Sequence, residues 1–162
     1  MTQEDLKKCC GSEKWVSGMF SETQVFSVDE TLSKAEEIWN LLSSEDRLEA
    51  FEYHPKIGDM NSLREKYSHS KDLSESEQSG AADATDEILI ELAEMNENYE
   101  KKFGFIFIVF ATGKSAGEML SILKKRINNN AETEMKNASE EQLKITKLRL
   151  KNYYESDHNT RT

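Results

Sequence analysis

The chain has 162 residues, of which 32% are charged and 36% hydrophobic, and its formal net charge is −10. This length suits one domain with a hydrophobic core, and the composition is typical of a helix-rich globular protein. The acidic charge argues against nucleic acid or an anionic membrane as the main partner, because both require a basic face. A small anionic substrate is still compatible with the charge, since one or two local cations can hold it.

The beginning of the chain, MTQEDLKKCC, lacks the apolar core of a signal peptide. The longest apolar run, FIFIVFA, is far shorter than a membrane span. Cys9 and Cys10 are neighbours, which makes them a poor structural disulfide, and we interpret them as reduced thiols. Together these features predict a cytoplasmic protein.

Helical periodicity dominates the first half of the sequence. A first short helix is predicted before Gly11, and a second carries Trp15 and Met19 inward. A third helix is predicted from apolar residues at helical spacing, which are Ala35, Ile38, Trp39 and Leu42.

A fourth helix is predicted to begin at Ser44, whose hydroxyl can cap it and which two acidic residues follow. This helix must end near His54, because Pro55 disfavours the helical conformation in the residue before it. Pro55 is the only proline in the chain.

In the second half, an apolar stripe running to Phe103 predicts a long helix that ends at Gly104. The run FIFIVFA then predicts an extended, buried segment. Two S-x-x-E/Q patterns, starting at Ser115 and Ser139, predict capping boxes that open the last two helices. The predicted fold is all-α: a single compact domain (residues 1–155) of about seven or eight helices, with one extended buried segment near 105–112 and a flexible tail (156–162).

Several residues are candidates for chemistry. The TGKS sequence has Ile108 where a phosphate-binding loop needs glycine, so nucleotide binding is rejected, although the turn could still attract an anion through its backbone N–H groups. His54 is either a structural residue at a helix end or an acid/base group. Glu77 either closes a capping box with Ser74 or faces a pocket. Arg149 either reaches the surface or points inward towards a carboxylate.

Five segments, in order, resemble the 2-oxo-4-hydroxy-4-carboxy-5-ureidoimidazoline (OHCU) decarboxylase family of uric acid degradation. They are CCGSEKWVSGM, LEAFEYHPKIGD, SESEQSGA, NENYEKKFGFIFIVFATGKSAGEML and EEQLKITKLRL, and they extend from about Cys9 to Leu150. The resemblance implies an all-helical homodimer that needs no cofactor. No metal is expected either, because the sequence contains no set of ligands at metal-binding spacing. Its substrate would be a small anionic ureidoimidazoline, and its product (S)-allantoin.

The resemblance also assigns site residues. It implies that His54 and Glu77 are catalytic and that Arg149 binds substrate. The remaining predicted substrate-binding residues are Phe26, Pro55, Ser74, Gln78, Val109, Phe110, Ala111, Thr112 and Gly113. Phe26 is matched through Gln24-Val25-Phe26, where the family commonly has Arg-Pro-Phe, and Arg47 stands where the family often has tryptophan.

Two other functions remain compatible with the residues. An acidic helical protein could be an interaction module that binds a partner helix in an apolar groove. A decarboxylase of a related ureido compound would use the same fold and the same candidate residues.

Overall fold

Helices make up most of the chain that the computed structural model describes, which is residues 1–22, 27–54, 61, 63–65 and 86–160. These residues contain no strand, so the all-α fold class is confirmed. The helices are α1 (Gln3–Cys9), α2 (Glu13–Glu22), α3 (Val28–Leu41), α4 (Ser44–Glu52), α5 (Asp86–Phe103), α6 (Ala116–Arg126) and α7 (Ala131–Thr160). None of them is long and apolar enough to cross a membrane.

The residues group into two units. The first consists of Met1–His54 and Met135–Thr162, and the second of Pro55–Glu134. The first unit therefore contains α1 to α4 and most of α7, and the second contains α5 and α6.

Two tryptophans organise the core of the first unit. Trp15 is fully buried, as its helical position predicts, and its Nε1 donates to the backbone carbonyl of Ala35 at 3.2 Å. Trp39 is also buried, and its Nε1 donates to the carbonyl of Ser139 at 3.0 Å. Each indole thus buries its apolar surface while its N–H has a partner, which ties α2 to α3 and α3 to α7.

The fourth helix begins at Ser44, as predicted, but its cap lies one residue earlier than predicted. Ser43, not Ser44, caps α4: its hydroxyl accepts from the backbone N–H of Asp46, whose carboxylate bonds back to Ser43. The predicted helix end is confirmed, because α4 stops at Glu52 and the N–H of His54 donates to the carbonyl of Phe51 at 3.2 Å. Pro55 lies outside the described residues.

The link between α1 and α2 passes close to the end of α4 at Gly11. A Cβ added to Gly11 would meet the side chain of Tyr53, whose Cδ2 lies 3.0 Å away and whose Cβ and Cγ are closer still. We therefore expect Gly11→Ala to lower the free energy of unfolding by about 1–3 kcal/mol, measured by urea titration.

Gly18 provides the matched comparison for Gly11. It lies inside α2, and the atom nearest to its added Cβ is the terminal methyl of Ile38, at 3.2 Å. Gly18→Ala should be close to neutral, since alanine favours the helix and this methyl can move. Equal losses of stability in the two variants would contradict the steric explanation.

In the second unit, the long helix follows the prediction in the described part, whereas the segment after it is less buried than predicted. Helix α5 ends at Phe103, and Gly104 has a φ of 82°, the left-handed conformation expected of a terminating glycine. The predicted beginning of this helix, before Asp86, lies outside the described residues. Residues 105–111 are neither helix nor strand; Phe105 and Ile108 are buried, and the others are half-buried.

The prediction that the last helix begins at Ser139 is wrong, because α7 already begins at Ala131. Asn130 accepts from the N–H of Thr133 at 2.8 Å and so caps the helix. The Ser139 hydroxyl donates within the helix to the carbonyl of Met135 at 2.7 Å. Helix α7 continues to Thr160, and the boundary between domain and tail at residue 155 stays a prediction.

Candidate functional site

The predicted site residues fall into three groups. His54 and Arg149 belong to the first unit, and Val109 to Gly113 belong to the second. The other five lie outside the described residues; they are Phe26, Pro55, Ser74, Glu77 and Gln78.

His54 is hydrogen-bonded to the first of a series of buried polar side chains. The residue is half-buried, and its Nε2 hydrogen-bonds to Oε1 of Gln142. Gln142 is fully buried, and its Nε2 donates to Oγ1 of Thr146 at 3.0 Å. Behind it lies the buried thiol of Cys10, whose pKa Thr146 acts to lower. The structure therefore places His54 at the end of a buried relay, defined here as Gln142 and Thr146.

The surroundings of His54 favour its neutral form. Burial is the main cause of a pKa below the ordinary 6.5, and the positive charge of Arg149 acts in the same direction. The hydrogen bond to Gln142 opposes them in part. An imidazole that is neutral near pH 7 has a lone pair with which it can accept a proton, as a general base requires.

The lowered pKa of His54 has a consequence for stability. Below about pH 6.5 the unfolded chain binds a proton at His54 more tightly than the folded chain does. The free energy of unfolding should therefore fall as the pH drops from 6.5 through the folded pKa of His54. Urea midpoints measured between pH 8 and pH 5, about 1.5 units either side of that value, should show a larger loss for the wild type than for His54→Asn. An equal loss in both proteins would assign the effect to other groups.

The two cysteines are buried, as expected of small apolar residues. Burial raises the pKa of each thiol to about 11, so both are protonated at neutral pH. The backbone N–H of Ser12 acts to lower the pKa of Cys10, but burial is the larger cause. Neutral buried thiols are poor nucleophiles, so the sulfur atoms serve packing rather than covalent catalysis.

Arg149 lies half-buried on α7. Its Nη1 donates to the backbone carbonyl of Lys8, near the end of α1, at 3.3 Å. Among the described residues it forms no ion pair with a carboxylate, unlike its neighbour Lys147, which pairs with Glu36 at 2.8 Å. A carbonyl is a neutral partner and adds no negative charge beside the guanidinium, which suits the recognition of an anion.

In the second unit, a buried arginine anchors the segment that contains Val109 to Gly113. Nη1 of Arg126 donates to the carbonyl of Ile108 at 2.6 Å, and its guanidinium lies 4.7 Å from the centre of the Phe107 ring. Nζ of Lys114 donates to the carbonyl of Phe110 at 2.6 Å. Protein side chains therefore satisfy two backbone carbonyls of this segment, those of Ile108 and Phe110.

The same arginine belongs to a buried ionic cluster, defined here as Tyr99, Arg126 and Glu134. Nε of Arg126 lies 2.7 Å from Oε1 of Glu134, to which the Tyr99 hydroxyl also donates at 2.6 Å. Asn129 donates to the other carboxylate oxygen at 2.8 Å. Burial and the neighbouring carboxylate raise the pKa of Tyr99, which keeps its hydroxyl as a donor.

Sequence reasoning missed Arg126 and Gln142, although both carry a signal in their spacing. Arg126 follows Ala116, Met119 and Leu123 on the buried face of α6. Gln142 likewise lies one turn after the buried Ala138 on α7. A polar residue on an apolar stripe indicates a buried polar contact, and the sequence does not name the partner.

The described residues contain no group of three or more His, Cys, Asp or Glu side chains placed to hold a metal ion. The absence of a metal and of a cofactor stays a prediction.

Comparisons with known proteins agree on one family. The family model described as OHCU decarboxylase matches residues 2–151. The chain is 41% identical over 150 residues to the Uric acid degradation bifunctional protein TTL of Arabidopsis thaliana, which covers 91% of this chain and 46% of that protein. It is 27% identical over 146 residues to the 2-oxo-4-hydroxy-4-carboxy-5-ureidoimidazoline decarboxylase of Haloferax volcanii, covering 88% and 83% of the two chains.

Solved structures show the same similarity. A crystal structure of OHCU decarboxylase in the presence of (S)-allantoin matches with a TM-score of 0.78 and 36% identity, over 96% of this chain and 99% of that one. A crystal structure of (S)-allantoin synthase, 19% identical with a TM-score of 0.68, supports the fold alone. The chain spans less than half the length of the Arabidopsis relative.

Proposed function

Because the chain belongs to the OHCU decarboxylase family, we propose that it converts 2-oxo-4-hydroxy-4-carboxy-5-ureidoimidazoline to (S)-allantoin and CO2. The observation that carries this proposal is the match of the family model to residues 2–151, nearly the whole chain. The related OHCU decarboxylase was solved in the presence of (S)-allantoin, the product proposed here.

The reaction needs no external electron acceptor. Loss of CO2 leaves an electron pair on carbon, and many decarboxylases use an organic cofactor to accept it. In this substrate the departing carboxylate is next to a C=N bond of the ring, which can take the pair. The protein must then hold the carboxylate out of the ring plane, stabilise charge on the ring and direct a proton to one face.

We assign these tasks to the candidate residues. His54 exchanges a proton with the C4 hydroxyl of the substrate and with the developing enol, and its lowered pKa supports this role because the free base is available near pH 7. Arg149 anchors the carbonyl end of the substrate together with Gln78. Glu77 holds ring or ureido N–H groups.

The segment from Val109 to Gly113 supplies backbone groups to the substrate. Support for this role comes from the turn at Gly113, whose φ of 76° is the left-handed conformation, and from the two side-chain anchors on the carbonyls of Ile108 and Phe110. A backbone segment held in this way can present its amide groups in a fixed orientation, which is how preorganised donors stabilise developing charge.

A decarboxylase of a related ureido compound would use the same residues and stays as the alternative. An interaction module gives no reason for a half-buried histidine that rests on a fully buried glutamine. The homodimer and the cytoplasmic location also belong to this proposal.

The proposal is tested by adding the protein to urate that has just been oxidised, together with the hydrolase that produces the substrate. Circular dichroism then follows the chirality of the allantoin. The expected result is faster formation with an excess of the S enantiomer, compared with racemic product from spontaneous decay. Racemic product at the spontaneous rate would overturn the proposal.

A further inference from the structure

We infer that Gln142 is a positioning residue that holds His54 in the tautomer with hydrogen on Nε2, so that Nδ1 is the nitrogen that exchanges protons with the substrate. This inference rests on the proposed function for the identity of the substrate. It concerns one microscopic property of His54, namely which ring nitrogen carries the lone pair.

The direction of the hydrogen bonds is set by the side-chain amide of Gln142. Its Nε2 is a donor group only, and it donates to Oγ1 of Thr146 at 3.0 Å. Oγ1 of Thr146 is therefore the acceptor in this bond.

The orientation of the amide then determines which ring nitrogen of His54 carries hydrogen. With its NH2 group turned towards Thr146, Gln142 presents its carbonyl oxygen to Nε2 of His54. A carbonyl oxygen can only accept, so Nε2 must carry hydrogen. A neutral imidazole has one N–H and one lone pair, and the lone pair is then on Nδ1.

Burial of Gln142 and Thr146 favours this one arrangement of hydrogen bonds over the reversed one. Gln142 and Thr146 are each 1% exposed or less, so water does not compete for their hydrogen bonds. Turning the amide round would place NH2 against Nε2 of His54. In the proton exchange, Nδ1 takes the hydroxyl proton while Nε2 keeps its own, and Gln142 accepts from Nε2–H before and after the transfer.

The first test needs no substrate. Proton–nitrogen correlation spectra of the imidazole rings distinguish the two tautomers, and the chain has only three histidines. At about pH 8, above the ordinary imidazole pKa, the His54 signal, identified by its absence in His54→Asn, should show hydrogen on Nε2. Hydrogen on Nδ1 in the wild type would overturn the inference, whatever the activity of the protein.

Two substitutions then test the role of the amide. Gln142→Met removes the acceptor at nearly constant volume, and we expect a mixture of tautomers and a kcat lower by about 10- to 100-fold with KM little changed, as for other residues that orient a functional histidine. Gln142→Glu keeps an acceptor and adds a charge. It should preserve the Nε2–H tautomer. Its negative charge should raise the pKa of His54 and so move the acid limb of the kcat/KM profile to higher pH, although the positive charge of Arg149 acts in the opposite direction.

Ser139→Ala is the matched control, because Ser139 is buried one turn earlier on α7 and its hydroxyl donates to the carbonyl of Met135. Its tautomer signal, kcat and pH profile should equal those of the wild type.

If Gln142→Met keeps the wild-type tautomer and kcat, the inference fails. If it does not fold, the wild-type spectrum and the pH profile of Gln142→Glu still decide. Racemic product from the wild type would contradict the proposed function and leave the tautomer result intact.

Discussion

His54→Asn is expected to reduce kcat by about 10²- to 10⁴-fold, the usual contribution of a general acid–base group. Asparagine keeps a polar side chain at the end of α4 but has no group that titrates near pH 7. The measurement is the initial rate of (S)-allantoin formation, followed by circular dichroism under conditions where spontaneous decay is subtracted. The fold should persist, since the helix end is set by the backbone bond from His54 to Phe51.

Glu52→Gln is the matched control for this substitution. Glu52 is exposed and lies two residues before His54, at the last position of α4. Its activity should equal that of the wild type, and urea titration should place both variants within about 1 kcal/mol of it, the net contribution of one hydrogen bond. Wild-type turnover in His54→Asn would refute the assigned role of the imidazole.

Arg126→Met is expected to lower the free energy of unfolding by about 3–5 kcal/mol, because it leaves the carboxylate of Glu134 buried without this arginine. The carbonyl of Ile108 would lose a 2.6 Å bond in the same change. The measurement is the urea midpoint and slope at pH 7, near neutrality, where a carboxylate is normally ionised. Activity of the folded fraction should also fall, since Arg126 anchors the segment that leads into Val109 to Gly113.

Two further variants distinguish the effect of breaking the buried ion pair from the effect of removing a nearby positive charge. Lys125→Met removes a neighbouring cation that is exposed, and it should change stability by less than about 0.5 kcal/mol. The double variant Arg126→Met, Glu134→Leu removes both charges and should recover part of the loss, since a buried pair replaced by apolar groups is often neutral. A loss in Lys125→Met as large as in Arg126→Met would contradict the explanation.

The sequence predicts the positions of the helices in this protein better than it predicts the buried polar contacts that their side chains make. Periodicity places Trp15, Met19 and Trp39 in the core correctly, and Pro55 correctly predicts the end of α4. These predictions succeed because helical spacing and the restriction before proline act within a few residues of chain.

The predicted start of α7 is wrong because the S-x-x-Q pattern occurs both at helix starts and inside helices. Ser139-x-x-Gln142 is the pattern of a capping box, yet here both side chains are buried inside a helix that began eight residues earlier. Gln142 instead bonds His54, which is 88 residues away in sequence. A partner at such a distance is supplied by tertiary packing, and no local rule contains it.

The candidate site shows the same limit. His54 alone is compatible with a structural or a catalytic role, and only the ordered set of five segments favours catalysis. The relay behind His54 and the anchor on Ile108 depend on the neighbours that folding brings together, so the residues suggest buried polar contacts without specifying them. The roles of Glu77 and Gln78 still rest on the resemblance.

The burial of Cys10 also provides a way to measure motion at this site. At about pH 8, a thiol with a pKa near 11 is ionised in about one molecule in a thousand, and Cys10 is 1% exposed. An alkylating reagent must therefore wait until the segment around Cys10 opens, and when opening is reversible and fast its rate reports the free energy of that opening. Because Cys10 is buried behind the relay of Gln142 and Thr146, its labelling rate measures how often the surroundings of His54 open, and no cysteine has to be introduced for the measurement.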